Sequence, residues 1–277
     1  MGWRRTTRIY GRLTRALGYS FVAYGGALLS GWLLAPWPRA SARWQMRSFQ
    51  FWSRALVRVF GVRLTVVGEP PRPPFFLVAN HLSYVDIVVL GTQLPCVFVA
   101  KAEIDRWPVF GAICRVVNTI FIDRKLKRDV PRAIALIREA LAVGKGIVVF
   151  AESTSSAGAE VMPFRSPLLD LPVKMGLPVH YAVLGYRTPE FAPPAFSTVC
   201  WWGNAPFAPH VKEFLALPRV EARLVFGDQP VAIADRKQLA ERLRSEVAAR
   251  FEPTVGAEEL AKYRPPWRED IDEFAGE

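Results

Sequence analysis

Short apolar runs alternate along most of the chain with stretches in which apolar side chains recur every three or four positions. The short runs read as strands: Val62–Val67, Phe75–Ala79, Cys96–Ala100, Thr119–Ile122, Gly146–Phe150, Val179–Gly185 and Val220–Phe226, with Val199–Trp202 a further candidate. Gly146–Phe150 and Val179–Gly185 have the character of strands buried on both faces. Asp86–Leu90 reads as helix. Val130–Val143 is a stronger helix, with Pro131 in its first turn and Ile134, Ile137 and Leu141 on one face. A last helix starts at the capping pair Asp235 and Gln238 and carries the stripe Leu239, Leu243, Val247 and Phe251. Strands alternating with helices predict an α/β fold, a mostly parallel sheet with helices on its faces.

The first quarter of the chain breaks this pattern. Ala16 to Pro38 is a run of 23 residues without a charge. As a helix at about 1.5 Å per residue it could cross a hydrocarbon core of about 30 Å. Three readings compete: a signal peptide ending near Ala40-Ser41-Ala42, a single spanning helix, and a helical hairpin that enters one leaflet and returns. Five arginines precede the run (Arg4, Arg5, Arg8, Arg12, Arg15) and four follow it (Arg39, Arg43, Arg47, Arg54). A spanning helix should be basic on one flank only, so balanced flanks favour the hairpin. Gly25-Gly26, Gly31, Pro36 and Pro38 interrupt the run as a re-entrant turn would.

Charge sharpens this picture. Residues 1–63 hold eleven arginines, no lysine and no acid, and the remaining 25 bases match the 25 acids. The whole net charge of +11 therefore sits in the first quarter, which excludes a uniformly basic nucleic-acid binder. Arg4, Arg8, Arg12 and Arg15 form one helical stripe, and Arg39, Arg43 and Arg47 form another. Trp3, Trp32, Trp37, Trp44 and Trp52 lie among them, a combination suited to a lipid headgroup layer. Residues 1–60 are expected to be membrane-association helices, 61–252 a catalytic domain and 253–277 a charged, loosely packed tail. Cys96, Cys114 and Cys200 are dispersed, as buried thiols in a reducing compartment would be. His81, His180 and His210 are far apart, so no metal site is expected.

Candidate chemistry concentrates in Leu77-Val78-Ala79-Asn80-His81-Leu82-Ser83-Tyr84-Val85-Asp86. On one regular helix His81 and Asp86 would lie about 140° apart and could not touch. A turn at Leu82-Ser83 changes this: Ser83 then caps a new helix, Asp86 falls in its first turn, and His81 just ahead can meet it. The pair would be a base with a carboxylate that fixes its tautomer, able to deprotonate a hydroxyl that attacks a thioester. No G-x-S-x-G elbow supports a serine mechanism. His180 and His210 read as structural, and Trp201-Trp202 as packing or an acyl groove.

The motif resembles that of the glycerolipid acyltransferase family, the 1-acylglycerol-3-phosphate acyltransferases and their relatives. The first family block, N-H-x-S-x-x-D, is matched by Asn80, His81, Ser83 and Asp86. The second is matched by Lys101, Glu103, Pro108, Gly111 and Phe121-Ile122-Asp123-Arg124, with Asn118 where the family often has glycine. The third falls on Phe150-Ala151-Glu152-Ser153-Thr154-Ser155-Ser156 and Pro163-Phe164-Arg165, and the fourth on Pro178-Val179-His180-Tyr181-Ala182-Val183. The resemblance implies His81 as general base and Asp86 as its orienting acid. Asn80, Ser83, Lys101, Arg124, Glu152, Ser153, Thr154 and Arg165 would hold substrate. It implies no metal or cofactor, an acyl-CoA or acyl-carrier protein as co-substrate, and a lysolipid acceptor in a membrane. The expected place is the inner membrane, with the catalytic domain on its cytoplasmic face.

The third block departs from the family pattern. Ala151 replaces proline, Ser153 glycine and Ser155 the arginine associated with the acceptor's phosphate; Tyr181 also replaces a proline of the fourth block. Serine cannot match the two-pronged grip of a guanidinium on phosphate. The segment Thr154 to Ser166 looks more like a bacterial branch that includes lyso-ornithine-lipid acyltransferases. A catalytically silent membrane scaffold is the rival from another class.

Overall fold

The computed structural model describes residues 2–106, 111, 114, 119–123 and 129–265. Pro108, Asn118, Arg124 and the tail from residue 266 onward lie outside the described residues. Two long helices open the chain, α1 (Gly2–Leu33) and α2 (Pro38–Phe60). Seven strands follow: β1 (Val62–Val67), β2 (Phe76–Ala79), β3 (Cys96–Lys101), β4 (Ile120–Ile122), β5 (Gly146–Phe150), β6 (Val179–Arg187) and β7 (Val220–Phe226). Between and after them run α3 (Val85–Gln93), α4 (Ala102–Asp105), α5 (Asp129–Ala142), α6 (Asp170–Lys174), α7 (Ala195–Thr198), α8 (Phe207–Ala216), α9 (Arg236–Ala248) and α10 (Ala257–Lys262).

The strands form one sheet in the order β1-β7-β6-β2-β5-β3-β4, parallel except for the pairing of β6 with β7. Residues along β2 show why the sheet is covered twice. Leu77 and Ala79 join α2 and α3 on one face, while Phe76 and Val78 join α5 and α9 on the other. All four are buried, so the strand reads as continuously apolar rather than alternating.

The hairpin is present, but its turn is not where the glycines stand. α1 runs unbroken through Gly25, Gly26 and Gly31, and the chain reverses at Leu34–Trp37, with Pro38 opening α2. Proline has no N–H to lose at a helix start, whereas a glycine weakens a helix by only about 1 kcal/mol, which packing against α2 outweighs. Antiparallel contacts fix the pair: the Trp52 indole N–H donates to Ser20 Oγ at 3.0 Å, and Tyr19 meets Phe51 edge to face. Among the described residues no helix is long and apolar enough to cross a membrane.

Nor is the hairpin a separate appendage. α2 buries Phe49, Trp52, Leu56 and Val57 in the same cluster as α3 and the sheet. Val199–Trp202 is not a strand. It leaves α7 as a turn, held by Trp201 N–H to Leu82 O and by the indole N–H groups of Trp201 and Trp202 on Ala205 O and Phe196 O. The described part of the tail, residues 253–265, is tied to the domain: Thr254 N–H donates to Gly158 O at 2.7 Å, and Tyr263 packs edge-on against Phe196. Cys96, Cys114 and Cys200 are buried thiols outside any disulfide.

Candidate active site

Three strands end at one edge of the sheet and deliver the polar motif there. β2 ends at Ala79 and hands over to Asn80-His81, β5 ends at Phe150 before Ala151-Glu152-Ser153, and β3 ends at Lys101. After His81 the chain turns, and Asp86 enters in the first turn of α3. The Asp86 carboxylate is fully buried. Its Oδ2 accepts from His81 Nδ1 at 2.7 Å, Leu82 N–H at 2.7 Å and Ser83 N–H at 3.0 Å. Its Oδ1 accepts from the Tyr186 hydroxyl at 2.6 Å. An ionised carboxylate can only accept, so Nδ1 of His81 carries the proton and Nε2 keeps its lone pair. Among the described residues Nε2 has no hydrogen-bond partner. The imidazole lies flat on Phe150, with centroids 4.0 Å apart, and Phe150 stacks in turn on Phe98.

The remaining predicted residues divide. His81, Lys101, Ser153 and Thr154 line one cavity of about 650 Å³, together with Tyr84, Phe98, Phe150, Ser155 and Trp201. Asn80 and Ser83 do not line it. Asn80 is buried; its amide donates to Leu184 O at 2.9 Å and accepts from Leu184 N–H at 2.8 Å, which ties β2 to β6. Ser83 is fully buried, and its hydroxyl accepts from Val85 N–H at the start of α3. Both expected substrate ligands therefore hold the fold of the turn. Arg165 is exposed and does not line the cavity; its N–H donates to Ala151 O. Arg124 is outside the described residues.

Glu152 also sits behind the cavity wall. Its carboxylate accepts from His81 N–H at 3.3 Å and Met162 N–H at 3.2 Å, clasping the His81 turn to the loop after β5. Burial pushes its carboxyl up to about 8, against the pull of those two hydrogen bonds. Ser156 N–H adds a bond to His81 O. Ser153 has φ 67°, a left-handed conformation natural to the glycine that most relatives in the resemblance carry there. The Ser155 hydroxyl donates to Trp201 O. His210 serves structure: its Nε2 bonds Cys200 O, its Nδ1 faces the Tyr84 hydroxyl, and burial lowers it to about 4.

Sequence reasoning missed Tyr186 and Phe150 as neighbours of the pair. Tyr186 is a hundred residues from Asp86 in sequence. Phe150 sits at a strand end, where its aromatic character alone gave a signal.

Comparison with known proteins agrees with this architecture. The family model described as Acyltransferase matches residues 63–184. The lyso-ornithine lipid O-acyltransferase of Brucella abortus is 30% identical over 233 residues, 78% of this chain and 86% of that protein. The 1-acyl-sn-glycerol-3-phosphate acyltransferase of Neisseria meningitidis is 30% identical over 158 residues, 53% of this chain and 62% of that protein. The crystal structure of the 1-acyl-sn-glycerophosphate (LPA) acyltransferase from Thermotoga maritima shares the fold, with a TM-score of 0.61 over 93% of this chain and 99% of that one at 18% identity. With that kinship over most of its length, this chain belongs to the glycerolipid acyltransferase family and is an acyltransferase of lipid biosynthesis.

Proposed function

We propose that the enzyme moves a fatty acyl group from a thioester, acyl-CoA or acyl-carrier protein, to the hydroxyl of a lysolipid at a membrane surface. The observation that carries this reading is His81, with Nδ1 held by Asp86 and Nε2 free at the wall of the cavity. Nε2 takes the hydroxyl proton as the oxygen attacks the thioester carbon. The C–O bond forms, the C–S bond breaks, and the imidazolium returns the proton to the departing thiolate. Asp86 keeps the imidazole oriented and favours its cation.

Two acceptors fit the reaction class, the 1-acylglycerol-3-phosphate type and lyso-ornithine lipid. The cavity wall favours the second. Ser155 stands where a phosphate-gripping arginine is the family pattern, and its hydroxyl is turned to Trp201 O. Among the described residues the charged side chains on the cavity besides His81 are Lys101 and Glu103, one of each sign. That pairing suits a headgroup carrying both a carboxylate and an ammonium better than a phosphate dianion. Three relatives named for lyso-ornithine lipid match 78%, 68% and 66% of this chain and a fourth 46%, against 44–53% for those named for the phosphate acceptor.

The hairpin supports residence at the membrane. Trp3, Phe21, Trp32 and Trp44 are exposed on its two helices and Trp37 at its turn, and Arg39, Arg43 and Arg47 form an open basic row on α2. A helix pair with that make-up lies at an interface with its aromatics among the headgroups. Balanced basic flanks favour both ends lying on the cytoplasmic side of the inner membrane. The deciding experiment supplies labelled acyl thioester with lysophosphatidate or lyso-ornithine lipid in vesicles. Ester formation on lyso-ornithine lipid is expected to be faster. Faster acylation of lysophosphatidate would reverse the acceptor assignment, and hydrolysis without transfer would sink the reaction.

A further inference from the structure

β6 reaches past the end of β2 and brings a phenol to the acid behind His81. Ala79 pairs with Ala182, so Leu184 and Tyr186 overhang the register and run beside the turn that carries His81. Leu184 exchanges both backbone hydrogen bonds with the Asn80 amide, which locks the overhang in place. Tyr186 then meets Asp86 Oδ1 at 2.6 Å, with Tyr186 only 2% exposed and Asp86 fully buried. Oδ2 already serves His81 and two backbone amides. Among the described residues Tyr186 is the one partner of Oδ1. Without it the carboxylate could rotate about its Cβ–Cγ bond and exchange its two oxygens.

We propose that Tyr186 is a positioning residue for acyl transfer: its hydroxyl pins Asp86 so that Oδ2 holds His81 with Nε2 facing the cavity. The inference rests on the reading of His81 as the base. It has an electrostatic side as well. The phenol directs the positive end of its O–H dipole at Asp86, which weakens the carboxylate's hold on a protonated imidazole. Removing the hydroxyl strengthens that hold, so the acid limb of the kcat/KM profile should move to higher pH. Other groups face the pair too: Glu152 at the His81 amide, the buried Cys200 thiol near Asp86, and Lys101 and Glu103 on the cavity. All of them stay in place when Tyr186 alone is changed.

The test is Tyr186→Phe in the full chain, assayed with an acyl thioester and lysolipid vesicles across pH. Turnover is expected to fall about tenfold, part of the 10²–10⁴ a positioned base supplies, with KM within about twofold and the acid limb displaced upward. In an Asp86→Asn background the same change should add less than about twofold, because the two residues act as one unit. Unchanged turnover and profile would overturn the proposal. So would a loss that merely tracks the unfolded fraction with the acid limb in place, or a full additive effect beside Asp86→Asn. If phenylalanine at 186 prevents folding, 3-fluorotyrosine there keeps the shape and gives a stronger donor. The acid limb should then move to lower pH, and an unmoved limb sinks the idea. His81→Ala run in parallel separates the two layers. An active His81→Ala enzyme removes the base assignment, whereas an inactive one beside a normal Tyr186→Phe enzyme removes only the role of Tyr186.

Discussion

The two helices of the hairpin carry similar rows of arginine and use them in opposite ways. On α1, Arg5 pairs with Glu213 at 2.6 Å and Arg8 donates to Ala216 O at 2.7 Å. Arg12 is buried and donates to Leu215 O, Leu217 O and Pro218 O. These partners lie in and just past the last turn of α8, where helix carbonyls lack intrahelical donors and the dipole end is negative. Burial and the neighbouring Arg8 and Arg15 lower Arg12 to about 10, which still leaves it charged at neutral pH. On α2, Arg39, Arg43 and Arg47 border an open groove of about 530 Å³ with Pro73, Pro95 and Gly144, and make no hydrogen bond or ion pair among the described residues. Helical spacing identifies a face. What the face meets depends on the element packed beside it. Arg8 and Arg12 of the first row, with the neighbouring Arg5, are thus an internal clamp, whereas all three arginines of the second row stay open.

The largest effect separates docking from chemistry altogether. Replacing His81 with alanine is expected to lower turnover 10²–10⁴-fold, about 3–5 kcal/mol of barrier, while the protein still pellets with vesicles as before. Near-normal turnover would remove the base. A parallel loss of vesicle binding would show that the hairpin and the site are not independent.

Next comes the clamp itself. Hydrogen bonds to a charged group contribute about 1.5–3 kcal/mol, so Arg12→Met, which leaves three carbonyls without a donor, is expected to cost about 3 kcal/mol in urea unfolding. Arg43→Gln should stay within about 0.5 kcal/mol of the parent, as open surface changes do. Equal costs would erase the distinction between the rows. Gly61 belongs to the same joint: it has φ 71°, and a Cβ there would meet the Arg12 guanidinium. Vesicle binding reverses the ranking. Changing Arg39, Arg43 and Arg47 together to glutamine should weaken binding to anionic vesicles by about 1 kcal/mol per arginine. Binding to uncharged vesicles should hardly move, and a similar loss on both would point to a damaged fold.

How much of this could be read in the sequence depends on how local each cause is. β1, β5 and β7 match their apolar runs residue for residue. The cause is local in each case: β5 and most of β7 are buried strands that need little beyond their own side chains, and β1, largely exposed, is rich in the β-branched residues that favour extended backbone. The contact of His81 with Asp86 was also legible, since the whole turn lies within six residues, although Tyr84 and not Ser83 stands at the N-cap of α3. Asn80 and Ser83 belong to the same motif, yet their hydrogen bonds run to Leu184 and Val85, so motif membership alone misjudged what they touch. Tyr186 and the Arg12 clamp depend on partners 100 and about 205 residues away, which no local pattern reports. Val199–Trp202 failed as a strand for a related reason: its two indoles bond loop carbonyls, and its backbone turns to Leu82 instead of joining the sheet.

A pH series tests whether the buried groups near the site titrate as their burial implies. Burial raises Glu152 from its ordinary 4.5 to about 8. Between those values the folded state holds a proton the unfolded chain has released, so this residue makes stability fall as pH rises from 4.5 to 8. Burial lowers His210 from 6.5 to about 4. There the unfolded chain holds the extra proton, so stability rises with pH from 4 to 6.5 and is lost as pH falls through that window. From 4.5 to 6.5 the two slopes oppose each other, and the parent's unfolding midpoint should vary little there before declining toward pH 8. Glu152→Gln removes one arm of the balance. Its midpoint should climb from pH 4 to 6.5 and then stay level, whereas His210→Gln should decline steadily from 4.5 to 8. Thermal unfolding across this range reads both slopes. Parallel curves for the three proteins would mean that neither group titrates differently in the fold. The clasp between Glu152 and the His81 amide would then have to be understood without a proton on the acid.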